Sequence, residues 1–213
     1  MSKNLHLFLI LVLVSSCASF KMGLLNPKQT LSPQIPMLEV RIDKKSLETA
    51  FMPMPFKITQ TADTLQANLK PFRDIQVQDA ITIFTREVEN NICKANGPNK
   101  NGYAVCRIIA ADMMGNGLWV LVPPLFVLCG VPSCSFSVEV SAQIDIYDND
   151  NNFIKSYSAV GRGKEYQAMY WGYAGETMMR TATIRALLNA MNEIKVKIQN
   201  DQAELAKKLA LPL

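Results

Sequence analysis

At 213 residues the chain is long enough for one domain with a substantial core. An apolar fraction of 49% against 19% charged residues excludes a disordered, highly charged chain and argues for a folded body. The net charge of +4 is mild, and no Lys/Arg cluster interleaves with aromatics, so a nucleic-acid partner is not indicated.

The first seventeen residues carry the clearest signal. Lys3 supplies a positive start, Leu5–Val14 is an apolar run, and Val14-Ser15-Ser16-Cys17 follows at once. The run is too short to span a ~30 Å hydrocarbon core as a helix, but it suits a cleaved export signal. The four-residue run resembles the lipobox of bacterial lipoproteins. That resemblance implies removal of residues 1–16 and a diacylglyceryl thioether on Cys17, with a further acyl chain such as palmitate on the new amino group. Two or more chains hold a protein stably on a membrane. Ala18–Pro36, with three prolines and no period, reads as a tether, so 17–36 is expected to be anchor and linker. The residue after Cys17 is alanine, not the aspartate that retains lipoproteins in the inner membrane of enteric bacteria. By the same resemblance, the expected location is the outer membrane, facing the periplasm.

The folded domain is expected over 37–213. Met37–Asp43 alternates as a first strand, and the alternate prolines of Phe51–Phe56 suit only an extended edge segment. From Asp79, a plausible N-cap, Ile81, Phe84, Val88 and Ile92 place one apolar stripe on a helix. Asn96–Gly102 is a turn cluster, and Tyr103–Ala111 reads as a buried strand returning after it.

Between Asp112 and Glu139 there is no charged residue. Pro123-Pro124 splits the apolar centre, Leu118–Val131, into arms too short for membrane-spanning strands and forbids one continuous helix. Two readings follow: buried segments packed under the domain, or an apolar loop offered to lipid or another chain, with Trp119 and Phe126 as anchors.

Phe136–Tyr147 alternates apolar and polar residues and reads as a strand with one wet face. Asp148–Asn152 turns the chain, and Phe153–Val160 returns as its partner. The Asp148, Asp150, Asn152 spacing evokes a calcium loop, yet Phe153 stands where glycine is needed and Ala159 where a bidentate glutamate belongs. Gly161-Arg162-Gly163 and Gly172…Gly175 bracket an aromatic connection containing Tyr166, Tyr170, Trp171 and Tyr173. Its glycines are not ordered as a phosphate loop. Tyr170 and Trp171 are candidates for a binding rim, or simply seat a helix on a sheet. After Gly175 a long helix follows, with Met178, Ala182, Ile184, Leu187, Leu188, Met191, Ile194 and Ile198 on one stripe. Asn200–Leu213 adds a shorter one.

This order of elements predicts an α+β fold, a single domain with a mostly antiparallel sheet and helices packed on one face. The segment Phe136–Ile198 resembles small envelope lipoproteins of Gram-negative bacteria, in which a strand ending in an Asp/Asn turn precedes an x-Ser-Tyr-x-x-x-Gly strand and an Ala/Leu-rich last helix. Related architectures occur in lipoproteins that activate cell-wall synthases and in the periplasmic part of the curli secretion lipoprotein. The resemblance places no functional residue of theirs here.

Four cysteines follow the lipid site: Cys93, Cys106, Cys129 and Cys134. In an exported chain an even number reads first as disulfides, and 93–106 with 129–134 is the most local pairing. The lone histidine, His6, lies in the export signal, which removes Ser-His and Cys-His catalysis and disfavours zinc. Carboxylate chemistry would need Asp112, Glu139, Asp145 and Glu165 to converge. The expectation is a non-enzymatic, lipid-anchored module without metal or cofactor that binds another envelope protein. The alternative is an oligomeric assembly or transport component using the 113–138 segment for subunit or membrane contact.

Overall fold

Along one strand Phe136, Val138, Val140, Ala142, Ile144 and Ile146 all turn inward and are buried, while Ser137, Glu139, Ser141 and Gln143 stand on the other face. That strand, β3 (Cys134–Tyr147), is the spine of the molecule. The structure, a computed structural model, describes residues 21–26, 35–51, 62–93, 100–117, 130–168, 172 and 175–210. β3 lies between β2 (Tyr103–Gly117) and β4 (Phe153–Gln167), antiparallel to both. The short β1 (Glu39–Ile42) pairs in parallel with the first residues of β2, giving the order β1-β2-β3-β4. The expected α+β architecture is present: among the described residues, one four-stranded, mostly antiparallel sheet with four α-helices.

The β3–β4 turn is built by Asp148. Its carboxylate accepts from the backbone N–H of Asp150 and Asn152 at 2.9 and 2.8 Å, and from the Asn152 amide at 2.9 Å. The Asn152 side chain first, and those backbone donors with it, hold the Asp148 carboxyl below its usual range. Asn151 takes the left-handed conformation, with φ 64°, that lets so short a connection close.

The last long helix, α3 (Gly175–Asn200), lies across β4 and β3. Its apolar stripe is buried as its spacing predicts, from Met178 to Ile198. The approach is unusually close at β4. Gly161 faces Ala186 and Ala190, and Gly163 faces Ala182 and Ala186. A Cβ at either glycine would overlap the helix backbone. Residues four apart share a helix face, so the three alanines form one shallow groove for the strand. Gly161-Arg162-Gly163, which the sequence suggests as the start of a connection, is therefore strand, and β4 runs on to Gln167.

A second long helix, α2 (Ala62–Glu87), packs on α3. It starts well before Asp79, and its last turn widens into a π-helical turn at Val88–Ile92. Ile83, Phe84, Val88 and Ile92 are buried. Polar contacts join it to α3 as well. Arg180 makes a two-pronged bond to Asp79 at 2.6 and 2.8 Å, and Gln76 donates to Thr183 at 3.1 Å. Lys195 reaches Glu87 at 2.9 Å, and Asn91 donates to the same carboxylate at 2.7 Å. Gln76 and Asp79 face α3 as polar residues, so the apolar stripe that marks α2 in the sequence begins only after them.

Two smaller helices complete the layer. α1 (Lys44–Ala50) has Asp43 as N-cap, accepting from Ser46 N at 3.1 Å, and packs against β2. α4 (Gln202–Ala210) follows α3 at Asp201, which accepts from Tyr157 at 3.0 Å and pairs with Lys155 at 2.8 Å. Leu25 and Ile35, within the stretch read as tether, are buried; Ile35 bridges Cys93, and Arg86 donates to Leu25 O at 2.8 Å.

Candidate binding surface

With the helices gathered on one face, the opposite face of the sheet carries no helix among the described residues, α1 touching only its β2 border. One row crosses all four strands: Arg41 on β1, Tyr103 on β2, Tyr147 on β3 and Phe153 on β4. The Arg41 guanidinium lies 3.7 Å from the centre of the Tyr103 ring. Tyr103 and Tyr147 stack at 4.9 Å with 7° between planes, and Phe153 meets Tyr147 edge-on at 5.6 Å. Each aromatic contact of this kind adds roughly 0.5–1.5 kcal/mol beyond area burial. The row follows from register, which sets Tyr103 opposite Tyr147 and Tyr147 opposite Phe153.

The next feature along the face is Asp145. Although it points outward, only 6% of its side chain is exposed. It accepts from Ser156 at 2.6 Å and Gln143 at 2.7 Å, and Arg107 Nη2 lies 2.5 Å away. One carboxylate thus ties three strands together. Further on, Glu139 pairs with Arg162 at 2.6 Å, and Asp112 stands opposite Glu139 on β2.

The four carboxylates considered for chemistry are therefore not one cluster. Asp112, Glu139 and Asp145 are spread along the open face, and Glu165 is on the helix side, where Arg185 lies 2.7 Å away. Burial pushes the Glu165 carboxyl up, with Arg185 opposing.

Charge on the open face is largely self-paired, through Glu39–Arg41, Asp145–Arg107 and Glu139–Arg162. Its unsatisfied character is apolar. Of the eight exposed large hydrophobic residues among the described ones, five lie here: Ile109, Met114, Phe153, Val160 and Tyr166. Covering such surface is worth about 25 cal/mol per Å². At the β2 border, Asp43, Lys45, Ser46 and Thr49 enclose a groove of about 370 Å³ with Arg107, Ile108 and Ile109. A β-bulge between Ile108 and Ala110 aims Ile109 outward there.

Of the residues singled out from sequence, Cys17, Trp119, Phe126, Cys129, Tyr170 and Trp171 lie outside the described residues. Met113–Gly117 and Cys134–Val138, the ends of the uncharged segment, form the far end of the β2–β3 hairpin, with Gly117 paired to Cys134. The far end of β4 meets them: Ser133 N donates to Gln167 O at 2.8 Å.

The disulfides expected from the cysteine count are not seen among the described residues. Cys93, Cys106 and Cys134 carry free thiols, and neither Cys93–Cys106 nor a bond from Cys134 is formed. Cys93 and Cys106 are packed in the core as small apolar side chains. Burial pushes the Cys93 thiol up to about 11. It pushes Cys106 higher still, with Cys93 and Asp145 adding repulsion. Cys134 instead donates to Gln167 Oε1 at 3.5 Å.

Neither the border groove nor the cross-strand row was recognised from the sequence. The row's signal was there, in aromatics at the ends of three strand segments, but only register makes them neighbours.

No protein-family model matches this chain, and no curated protein matches it. Among solved structures, one from Caulobacter crescentus CB15, described as a "putative lipoprotein", is 13% identical. The match covers 79% of this chain and 99% of that one, with a TM-score of 0.30. The description belongs to that protein.

Proposed function

We propose that the chain is a lipid-anchored, non-enzymatic protein of the bacterial envelope, held at the outer membrane through Cys17 and facing the periplasm. It binds another envelope component through the open face of its sheet. The observation that carries this reading is that face: most of its charges are paired with one another, while Ile109, Met114, Phe153, Val160 and Tyr166 stay exposed beside them. A surface neutral in charge and apolar in content is suited to docking. The lipobox-like run at Val14–Cys17 supports the anchor.

In-cell photocrosslinking tests the reading. A photoreactive residue placed at Val160 or Tyr166 should give a discrete crosslink to one envelope protein. The same residue at Val196, exposed on α3, should not. Crosslinks of equal pattern from all three positions, or from Val196 alone, would refute it. Cys17→Ala should release the chain from the membrane fraction and abolish the crosslink. Retention of the variant in that fraction would refute the anchor.

A further inference from the structure

The free chain between the lipid site and the folded body is shorter than the stretch read as a tether. Within Ala18–Pro36, the short 3-10 turn Met22–Leu25 packs on α2. Leu25 is 6% exposed and belongs to the core, and Leu24 packs against it. Arg86, in the last turn of α2, clasps this turn: its Nη1 donates to Leu25 O at 2.8 Å and to the Asn26 side-chain oxygen. Leu24 N closes the turn on Lys21 O at 2.9 Å. Only Ala18, Ser19 and Phe20 then separate Cys17 from the start of a packed segment. Four Cα steps reach at most about 14 Å.

That reach decides how the body can stand on a bilayer. The turn belongs to the helix layer: α2 carries it, and α2 packs on α3, which covers β4 and β3 from one side. Standing on the open face of the sheet would lift the turn by a helix and a sheet, roughly 20 Å. The leash is shorter than that, and it starts among the headgroups, where the glyceryl of a lipidated Cys17 sits. Among the described residues, the exposed large hydrophobics that are not on the open face are Met22 in the turn, Ile75 on α2 and Val196 on α3. Ile75 and Arg86 are three helical turns apart and share one face of α2. Apolar residues scattered singly need no partner, but here the leash brings a lipid surface to them.

We propose that the helix layer, from Met22 along the outer side of α2, rests on the phospholipid surface that holds the anchor, and that the open face of the sheet is turned away from it. The packed turn and the short leash act together: the first fixes where the leash leaves the body, and the second keeps that point within reach of the headgroups. The docking face is thereby presented to the periplasm, where another envelope component meets it unobstructed. This inference rests on the lipid anchor at Cys17 proposed above and adds which side of the domain the membrane occupies.

The test uses the full-length lipidated protein in vesicles of phosphatidylethanolamine and phosphatidylglycerol, with a nitroxide on a fraction of the headgroups. A fluorescent amino acid replaces either Asn90, exposed just beyond Arg86, or Val160 on the open face. The nitroxide should quench the probe at Asn90 several-fold more than the probe at Val160. An insert of about twenty Gly/Ser residues between Ala18 and Ser19 spans roughly 25 Å and lies outside the packed turn. It should bring the two probes to near-equal quenching. Equal quenching without the insert, stronger quenching at Val160, or a preference that the insert leaves unchanged would overturn the proposal. Mass spectrometry of the same sample separates the two readings. An unmodified Cys17 would remove the anchor, whereas a lipidated Cys17 with equal quenching would remove this inference alone.

Discussion

Lys195 Nζ lies 2.9 Å from Glu87 Oε2, with side-chain exposures of 2% and 1%. A buried pair of this kind is worth little net, but each member is costly to remove alone. Glu87→Gln or Lys195→Met should each destabilise the domain by ~3–5 kcal/mol, because one charge stays buried. Replacing both with apolar residues should cost far less than the sum of the two. Urea unfolding of the two single variants and the double variant checks this. Additive losses would mean that the pair is not coupled.

Gly161 tests the closeness of helix and strand. A Cβ there collides with the backbone of Ala186 and Ala190, which cannot rotate away. Gly161→Ala should destabilise by ~1–3 kcal/mol or more, as overpacking does. Gly115→Ala is the control, since its Cβ would meet only the Phe136 ring at 3.6 Å, an ordinary contact. Equal unfolding midpoints for the two variants would show that α3 is not seated on β4 so tightly.

The thiols should separate by burial. Iodoacetamide at neutral pH should modify Cys134 well before Cys93 or Cys106, whose thiols are buried and held up by that burial. Mass spectrometry of partly alkylated protein locates the label. Cys93 and Cys106 should react only after unfolding, without reductant. If unfolding exposes no thiol at either until reductant is added, the two are oxidised to one another.

Glu165 should give a pH signature. Its carboxyl is raised above 4.5 in the folded state by burial, so its ionisation opposes folding, and stability is lost as pH climbs through and beyond that value. Glu165→Gln removes that loss. The melting temperature of the variant minus that of the native chain should therefore be larger at pH 7 than at pH 4. A difference that shrinks with pH would mean the Arg185 pair outweighs burial.

Much of the fold is legible in the sequence, where a local pattern maps directly onto a buried face. The alternation from Phe136 to Ile146, the Asp148 turn, and the apolar stripe of α3 are each decided by neighbours within a few residues. Other features depend on partners far along the chain. Gln76, Asp79 and Glu87 look like surface residues, but α3 supplies their counterparts a hundred positions later. Gly161 and Gly163 carry the same local signal as a turn, and only the docking of three alanines makes them strand. Cysteine count suggested bonds, whereas packing placed Cys93 and Cys106 in the core as free thiols. The candidate surface is the most tertiary feature of all. Strand order and register bring Ile109, Met114, Phe153, Val160 and Tyr166 onto one face, and no window of sequence around any of them contains that information.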